Sequence, residues 1–468
     1  MTSPSPFRIP FVVLVLAVCF LLSLPASAAD SDGTRARSAQ QPPTDTRNSH
    51  YTGNRPPLRP KPLVKLPIGN IEPRGWLRNQ LEFQADGMVR HMEELSRWVS
   101  PDETAWMNPD GQGNHQWEEV PYWLRGYGDL AYVLDNEDMI REAETWLDAA
   151  MDSQTESGWF GPRGNKTRSD GKPDLWPNMI MLNALQSYYE YSGDKRVLEV
   201  MTDYFRWQMQ VPDEDFLPPF WQRQRAGDNL ESVYWLYNRT GDQWLLDLAD
   251  KIHRNMARWD EKVASWHGVN ITQCFREPAI YWMQQKDDAL LRATKDNYQK
   301  VIGRYGQQPG GMFGADENAR EGHHGPRQAA ETCSMVEFMH SFEMLTKITG
   351  NTAWADRCEE VAFNSLPAAL TPDARGLHYL TAPNMVRLDH ENKSPGLQNG
   401  GCMLAYSPHE RYRCCQHNYA HGWPYYAEEL WHATSDDGLA ASLYVASAVT
   451  AKVGDGTRVT VEEQTRYP

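Results

Sequence analysis

Three places in this sequence hold residues whose types do chemistry when they meet. Cys414-Cys415-Gln416-His417-Asn418 sets two thiols side by side, and Glu331-Thr332-Cys333 sets a carboxylate and a third thiol two positions apart. Zinc takes thiolates, imidazoles and carboxylates in a tetrahedron, so Glu331, Cys333, Cys414 and Cys415 would offer one carboxylate and three thiolates. Residues i and i+2 point to opposite sides of a regular helix. Glu331 and Cys333 can therefore converge only at a helix start or in an extended turn, and a helical pattern does begin there. The same spacing suits another reading, with Cys333 a small buried hydrophobe and Cys414-Cys415 a structural pair.

A zinc-bound cysteine is deprotonated at neutral pH, and a helix starting near Asn418 would add its positive end, so Cys414 could act as a nucleophile. Double displacement at a sugar carbon needs a nucleophile and a general acid/base whose pKa is raised by its surroundings. Glu317 is the candidate acid/base, in the segment Gly310-Gly311-Met312-Phe313-Gly314-Ala315-Asp316-Glu317-Asn318, with Asp316 its nearest competitor and an exposed loop carboxylate the plainer alternative. His267, in Trp266-His267-Gly268, is a candidate sugar contact or a hydrogen-bonded structural residue. His323-His324 read as loop residues that could line the pocket, and His417 could orient a thiolate or bond the backbone. Trp117, just ahead of Glu118-Glu119, could form a sugar platform or fill the core.

These residues need a framework. The chain has 468 residues, of which 40% are hydrophobic, enough for a large core. Its formal net charge of −16 and the lack of a basic stripe argue against nucleic acid as a partner. Arg8, the apolar run 11–24 and Ala26-Ser27-Ala28 read as a signal peptide over 1–28, too short for a comfortable membrane span, so export with cleavage near Ala28 is expected. Residues 29–62 are rich in Ser, Thr, Gln and Pro without hydrophobic period and read as a flexible linker.

From 63 to 434 the pattern is helical. Apolar residues recur at three and four spacing over 76–98, 120–134, 139–151, 175–191, 197–209, 230–237, 244–256, 271–283, 290–302, 329–348 and 354–366. Segments such as Ser192-Gly193-Asp194, Thr240-Gly241-Asp242 and Thr349-Gly350-Asn351 stop one helix and cap the next. A hairpin every ~45–60 residues predicts about six, closing into an (α/α)6 toroid, with an open superhelix as the alternative. After Thr434, residues 439–453 and 457–465 alternate around Gly454-Asp455-Gly456, a hairpin that reads as the beginning of a β-sandwich domain cut short at Pro468.

The three motifs in this order, Gly310 to Glu317, Glu331-Thr332-Cys333 and Cys414-Cys415 with Asn418, resemble the signature of glycoside hydrolase family 127, the beta-L-arabinofuranosidases. The resemblance runs from about Leu66 to the end of the chain. It implies an (α/α)6 catalytic barrel followed by β-sandwich domains, acting with retention on L-arabinofuranosyl or related sugars. It further implies Cys414 as nucleophile, Glu317 as acid/base, zinc on Glu331, Cys333, Cys414 and Cys415, and His267 as a sugar contact. The expected partner is an oligo- or polysaccharide. A non-catalytic carbohydrate-binding scaffold with a structural zinc, or a lyase on the same toroid, are the alternatives.

Overall fold

The computed structural model describes residues 38–39, 41–407 and 413–464; the expected signal peptide lies outside the described residues. Strands β1 (Leu63–Lys65) and β2 (Ile71–Pro73) lead into α1 (Gly75–Asp86) and the one-turn α2 (Met92–Leu95). Then come α3 (Glu119–Leu134), α4 (Glu137–Asp152), α5 (Trp176–Ser192), α6 (Arg196–Gln210), the short α7 (Trp221–Gln224), α8 (Ala226–Thr240) and α9 (Trp244–Asn255). The chain continues through α10 (Gly268–Cys274), α11 (Glu277–Gln285), α12 (Asp288–Tyr305), β3 (Ala330–Glu331), α13 (Thr332–Thr349), α14 (Thr352–Asn364) and α15 (Leu366–Ala369). It ends with β4 (Leu380–Thr381), α16 (Arg413–Asn418), α17 (Gly422–Glu428), β5 (Trp431–Thr434), β6 (Leu439–Ala441), β7 (Ser447–Val453) and β8 (Thr457–Glu463).

The helices form a closed (α/α)6 barrel. The inner layer runs α3–α5–α8–α11, then α10–α13–α17, and α17 returns to α3. Outside it lie α4, α6, α9, α12 and α14, each packed on its own inner partner, while α1 backs α17. The last hairpin is thus completed by the first helix of the chain, and this joins the two ends into a ring. Burial follows the layers. Nearly every residue of α3 is buried, whereas α4 and α6 bury one face only, through residues such as Ala143, Trp146, Leu147, Val197, Met201 and Phe205. The stop-and-cap signals act as expected. Gly350 ends α13 at φ 67, and Asn351 Oδ1 then accepts from Ala353 N at 3.1 Å to cap α14.

Polar groups cross the barrel axis. Arg125 of α3 donates to Glu337 of α13 at 2.6 Å and to Asn418 of α16 at 2.5 Å, and Arg276 pairs with Asp228. All are buried. Each bond fixes the rotation of one inner helix against another, because a buried charge without its partner is costly.

Four expectations change. The pattern over 76–98 is not one helix: the chain turns extended at Gly87, where a Cβ would lie 2.6 Å from Ala374 O. The pattern over 271–283 splits into α10 and α11, with Pro278 in the first turn of the second. Residues 439–453 form two strands in different sheets, ordered β1-β5-β6 and β2-β7-β8. The chain's own N-terminal strands therefore complete both sheets. Finally, within the expected linker, residues 41–62 lie along the domain rather than free of it. Leu58 is fully buried, Arg47 donates to Asn54 O and Leu58 O at 3.0 Å each, and Asn48 donates to Thr434 O at 2.7 Å. Side chain to backbone bonds order a polar segment that has no hydrophobic period.

Candidate active site

The starts of five inner helices, Glu119 at α3, Trp176 at α5, Ala226 at α8, Gly268 at α10 and Thr332 at α13, gather with that of the short α16 at Arg413, as the pairs Arg413–Glu119, Trp176–Glu118, Arg225–Asn270 and Cys414–Glu331 show. Helix N-termini carry partial positive charge, so the place where they gather favours thiolates and carboxylates. Glu331 sits just ahead of α13 with extended backbone (φ −75, ψ 138), while Cys333 is in its first turn. That break in the helical repeat lets an i, i+2 pair face one point. On the other side, α16 is pressed against α3 through the turn at Ala420, where Gly126 leaves no room for a side chain: a Cβ there would lie 2.5 Å from Ala420 Cβ.

The ligating atoms of Glu331, Cys333, Cys414 and Cys415 all lie within 4.8 Å of one another. Glu331 Oε1 is 3.7 Å from Cys414 Sγ and 3.6 Å from Cys415 Sγ, and the two sulfurs are 4.0 Å apart. Glu331, Cys333 and Cys415 are buried, and Cys414 is the partly exposed member. Glu331 Oε2 is buried with no hydrogen-bond partner. An orphaned carboxylate oxygen among three soft sulfur donors fits a divalent cation. Burial drives Glu331 far above the ordinary carboxylate range and raises Cys333 and Cys415. Cys414 is driven far down, first by hydrogen bonds from Cys333 and Cys415 and then, against its burial, by Tyr379. The cluster favours one ionised sulfur, at the partly exposed position.

Glu317 stands across from that sulfur. Tyr379 Oη is 3.4 Å from Cys414 Sγ and 3.3 Å from Glu317 Oε1, so it spans the two. Burial raises the Glu317 pKa and the Cys414 charge adds to it, while the Tyr379 hydroxyl opposes. Asp316, the competitor, is buried and occupied. Its Oδ1 accepts from Ala329 N at 2.7 Å, and its Oδ2 from Gln398 N at 2.8 Å and from Arg320 at 2.5 Å. Asp316 pins the loop, which leaves Glu317 to face the thiol. Tyr379 escaped the sequence reading because nothing local marks it. Pairing of β3 with β4, extended by Thr332 N to Tyr379 O at 3.0 Å, brings it in.

His267 caps α10, its Nδ1 accepting from Asn270 N at 3.4 Å, and Gly268 N donates to Glu317 O at 2.9 Å. Burial, with the neighbouring Arg225 charge, lowers the His267 pKa to about 4, so the ring is neutral. His417 settles on the backbone option: one nitrogen meets Arg413 O and the other Ser96 Oγ, the latter at 2.7 Å. His324 packs its ring against Tyr305. Trp117 is half-buried at the rim, donating to Asp174 Oδ2 at 3.1 Å. Two further residues stand beside the site, Glu118, read only as part of a helix start, and Arg225, not singled out in the sequence. Glu118 is buried, takes a 2.5 Å bond from Trp176, and burial raises its pKa to about 8. Arg225 is buried between the Trp176 and Trp221 rings at 4.5 and 4.8 Å and bonds Asn270 and Tyr122. An isolated Glu or Arg carries no sequence signal of such a place.

A family model described as the beta-L-arabinofuranosidase GH127 catalytic domain matches residues 78–428. The chain belongs to glycoside hydrolase family 127. Among solved structures, a GH127 beta-arabinofuranosidase superposes with a TM-score of 0.65 at 14% identity, covering 87% of this chain and 68% of that one. A GH127 beta-L-arabinofuranosidase from Geobacillus stearothermophilus T6 gives 0.65 at 15% identity, covering 85% and 71%. A third, described as a glycoside hydrolase, gives 0.66 at 13% identity, covering 90% and 69%. At such identities the likeness speaks for the fold. No curated protein matches. As a family 127 catalytic domain the chain is a glycosidase with a carbohydrate substrate, and no helix among the described residues is long and apolar enough to cross a membrane.

Proposed function

We propose that this domain hydrolyses beta-L-arabinofuranosides with retention, with Cys414 as nucleophile and Glu317 as acid/base. The observation that carries the reading is the Tyr379 hydroxyl, which reaches both groups at 3.4 and 3.3 Å and so brings the thiol and the carboxyl to one point. Zinc, held by Glu331, Cys333, Cys414 and Cys415, would keep the sulfurs ionised and in place.

A sugar seated over Cys414 is attacked at its anomeric carbon by the sulfur. The bond to the glycosidic oxygen breaks with its electron pair going to that oxygen, which takes the Glu317 proton. Burial and the Cys414 charge raise the Glu317 pKa, which favours the protonated form that an acid needs. In the second half the Glu317 carboxylate removes a proton from water. The water oxygen then bonds the anomeric carbon from the vacated face, and the carbon–sulfur electron pair returns to Cys414. Two inversions give net retention. Neutral His267 would contact that sugar, and Trp117, on the rim, a more distant part of the substrate. Export on the leader at 1–28 fits a substrate outside the cell, and a mature N-terminus at Ala29 would bear it out.

Cys414→Ala and Glu317→Gln are the test, assayed on a beta-L-arabinofuranoside with the anomer of the first product followed by NMR. Each variant should fold and lose at least ~1,000-fold in kcat. A Cys414→Ala protein that keeps wild-type turnover would sink the assignment.

A further inference from the structure

A row of aromatic rings leaves the site along the barrel rim. His267 packs on Trp221 at 4.8 Å, Trp221 on Phe220 at 4.5 Å with 21° between planes, and Phe220 on Trp117 at 6.1 Å with 19°. The row starts beside the acid/base, where Gly268 N donates to Glu317 O, and its outer members are fixed. Asp174 holds the Trp117 indole nitrogen, and the Arg168 guanidinium lies 4.9 Å from the Trp117 ring centroid.

Phe220 is the unexplained member. Its side chain is 55% exposed, so burial does not account for it. Its backbone has φ 115 and ψ −158, a region that is essentially glycine's. The segment is held there by Arg223, whose Nε donates to Leu217 O at 2.8 Å and whose N donates to Phe220 O at 3.2 Å. An apolar ring kept in water on an unfavourable backbone, between two tryptophans of a row leading to the catalytic pair, has the form of a binding platform. Sugar C–H faces stack on such rings.

We propose that Phe220 determines specificity in the leaving-group subsite, its exposed ring packing on the sugar next to the one released. The inference rests on Cys414 and Glu317 acting as assigned above. The sugar under attack lies over Cys414. The oxygen that Glu317 protonates belongs to the neighbouring sugar, which therefore lies on the Glu317 side, where the row begins. The substrate class is an oligosaccharide with at least one further sugar, not a glycoside of a small alcohol.

The test compares kcat/KM on a beta-L-arabinofuranosyl disaccharide with kcat/KM on methyl beta-L-arabinofuranoside. Phe220→Ala should lower that ratio about tenfold, the scale of one lost stacking contact, and Phe220→Tyr should keep it within about twofold. Phe220→Gly, whose backbone accepts φ 115, should show the same fall with an equal or higher Tm, which separates the ring from the fold. A ratio unchanged in Phe220→Ala and Phe220→Gly overturns the subsite alone. Wild-type protein that cleaves neither substrate overturns the subsite together with the reading beneath it.

Discussion

Replacing Tyr379 with Phe removes one oxygen from between the two groups assigned to the reaction and little else. Tyr379 is 6% exposed, so the ring stays packed and the fold should hold. Its hydroxyl has a single proton for two acceptors, Glu317 Oε1 at 3.3 Å and Cys414 Sγ at 3.4 Å. A hydrogen bond to a charged partner is worth ~1.5–3 kcal/mol, which is about 10- to 150-fold in rate if it is made in the transition state. The same proton has a second effect. Burial and the Cys414 charge raise the Glu317 pKa, while the Tyr379 hydroxyl favours the ionised carboxylate and pulls it back. Without that donor the pKa rises further. Glu317 must be protonated to act as acid, so the alkaline limb of kcat/KM should move to higher pH while its plateau falls. The measurement is a pH profile of both proteins on one beta-L-arabinofuranoside. A plateau within twofold of wild type, or a limb moved to lower pH, would refute the reasoning.

Three other outcomes follow from the geometry. Purified protein should carry about one zinc per chain by elemental analysis, Cys333→Ala should lose it, and a chelator should remove activity that added zinc restores. Gly126→Ala drives a methyl into Ala420, 2.5 Å from its Cβ. It should cost ~1–3 kcal/mol, lower Tm by several degrees and lower zinc occupancy with it, because α16 rests on that contact. Glu343 is buried, and burial, with Glu429 beside it, lifts its pKa to about 8. The unfolded chain loses that proton near the ordinary carboxylate value of 4.5, so the folded state holds the extra proton between there and about 8, and stability falls as pH rises across that window. Glu343→Gln should therefore gain Tm over wild type at pH 8 and little at pH 5, and equal gains at both would refute the sign.

Much of the barrel was legible because its signals are local. Gly350 and Asn351 mark the turn between α13 and α14, and apolar residues at three and four spacing mark α4 and α6. Breaks were harder to see, since Gly87 and Pro278 act on a pattern that otherwise continues. The segment 41–62 was unreadable for a different reason. Its order comes from side chains such as Arg47 and Asn48 bonding backbone carbonyls, and one of those belongs to Thr434, across the chain. Closure was not written in any one window either, because the last hairpin borrows α1 from the start of the chain.

For the site, the order of residues decided the donor types: three thiols and a carboxylate of a kind that takes zinc, and a loop with two acids ahead of them. It could not decide between those acids. The tertiary structure separates their surroundings: both oxygens of Asp316 are occupied, while Glu317 lies across from Cys414. It also supplied Tyr379 and Arg225, which nothing nearby in the chain announces, and the burial of Glu118, which its place at a helix start does not reveal. The physical reason is the same throughout. A side chain's chemistry is a property of its type, but its partners, burial and pKa depend on distances set only when helices far apart in sequence close into one ring.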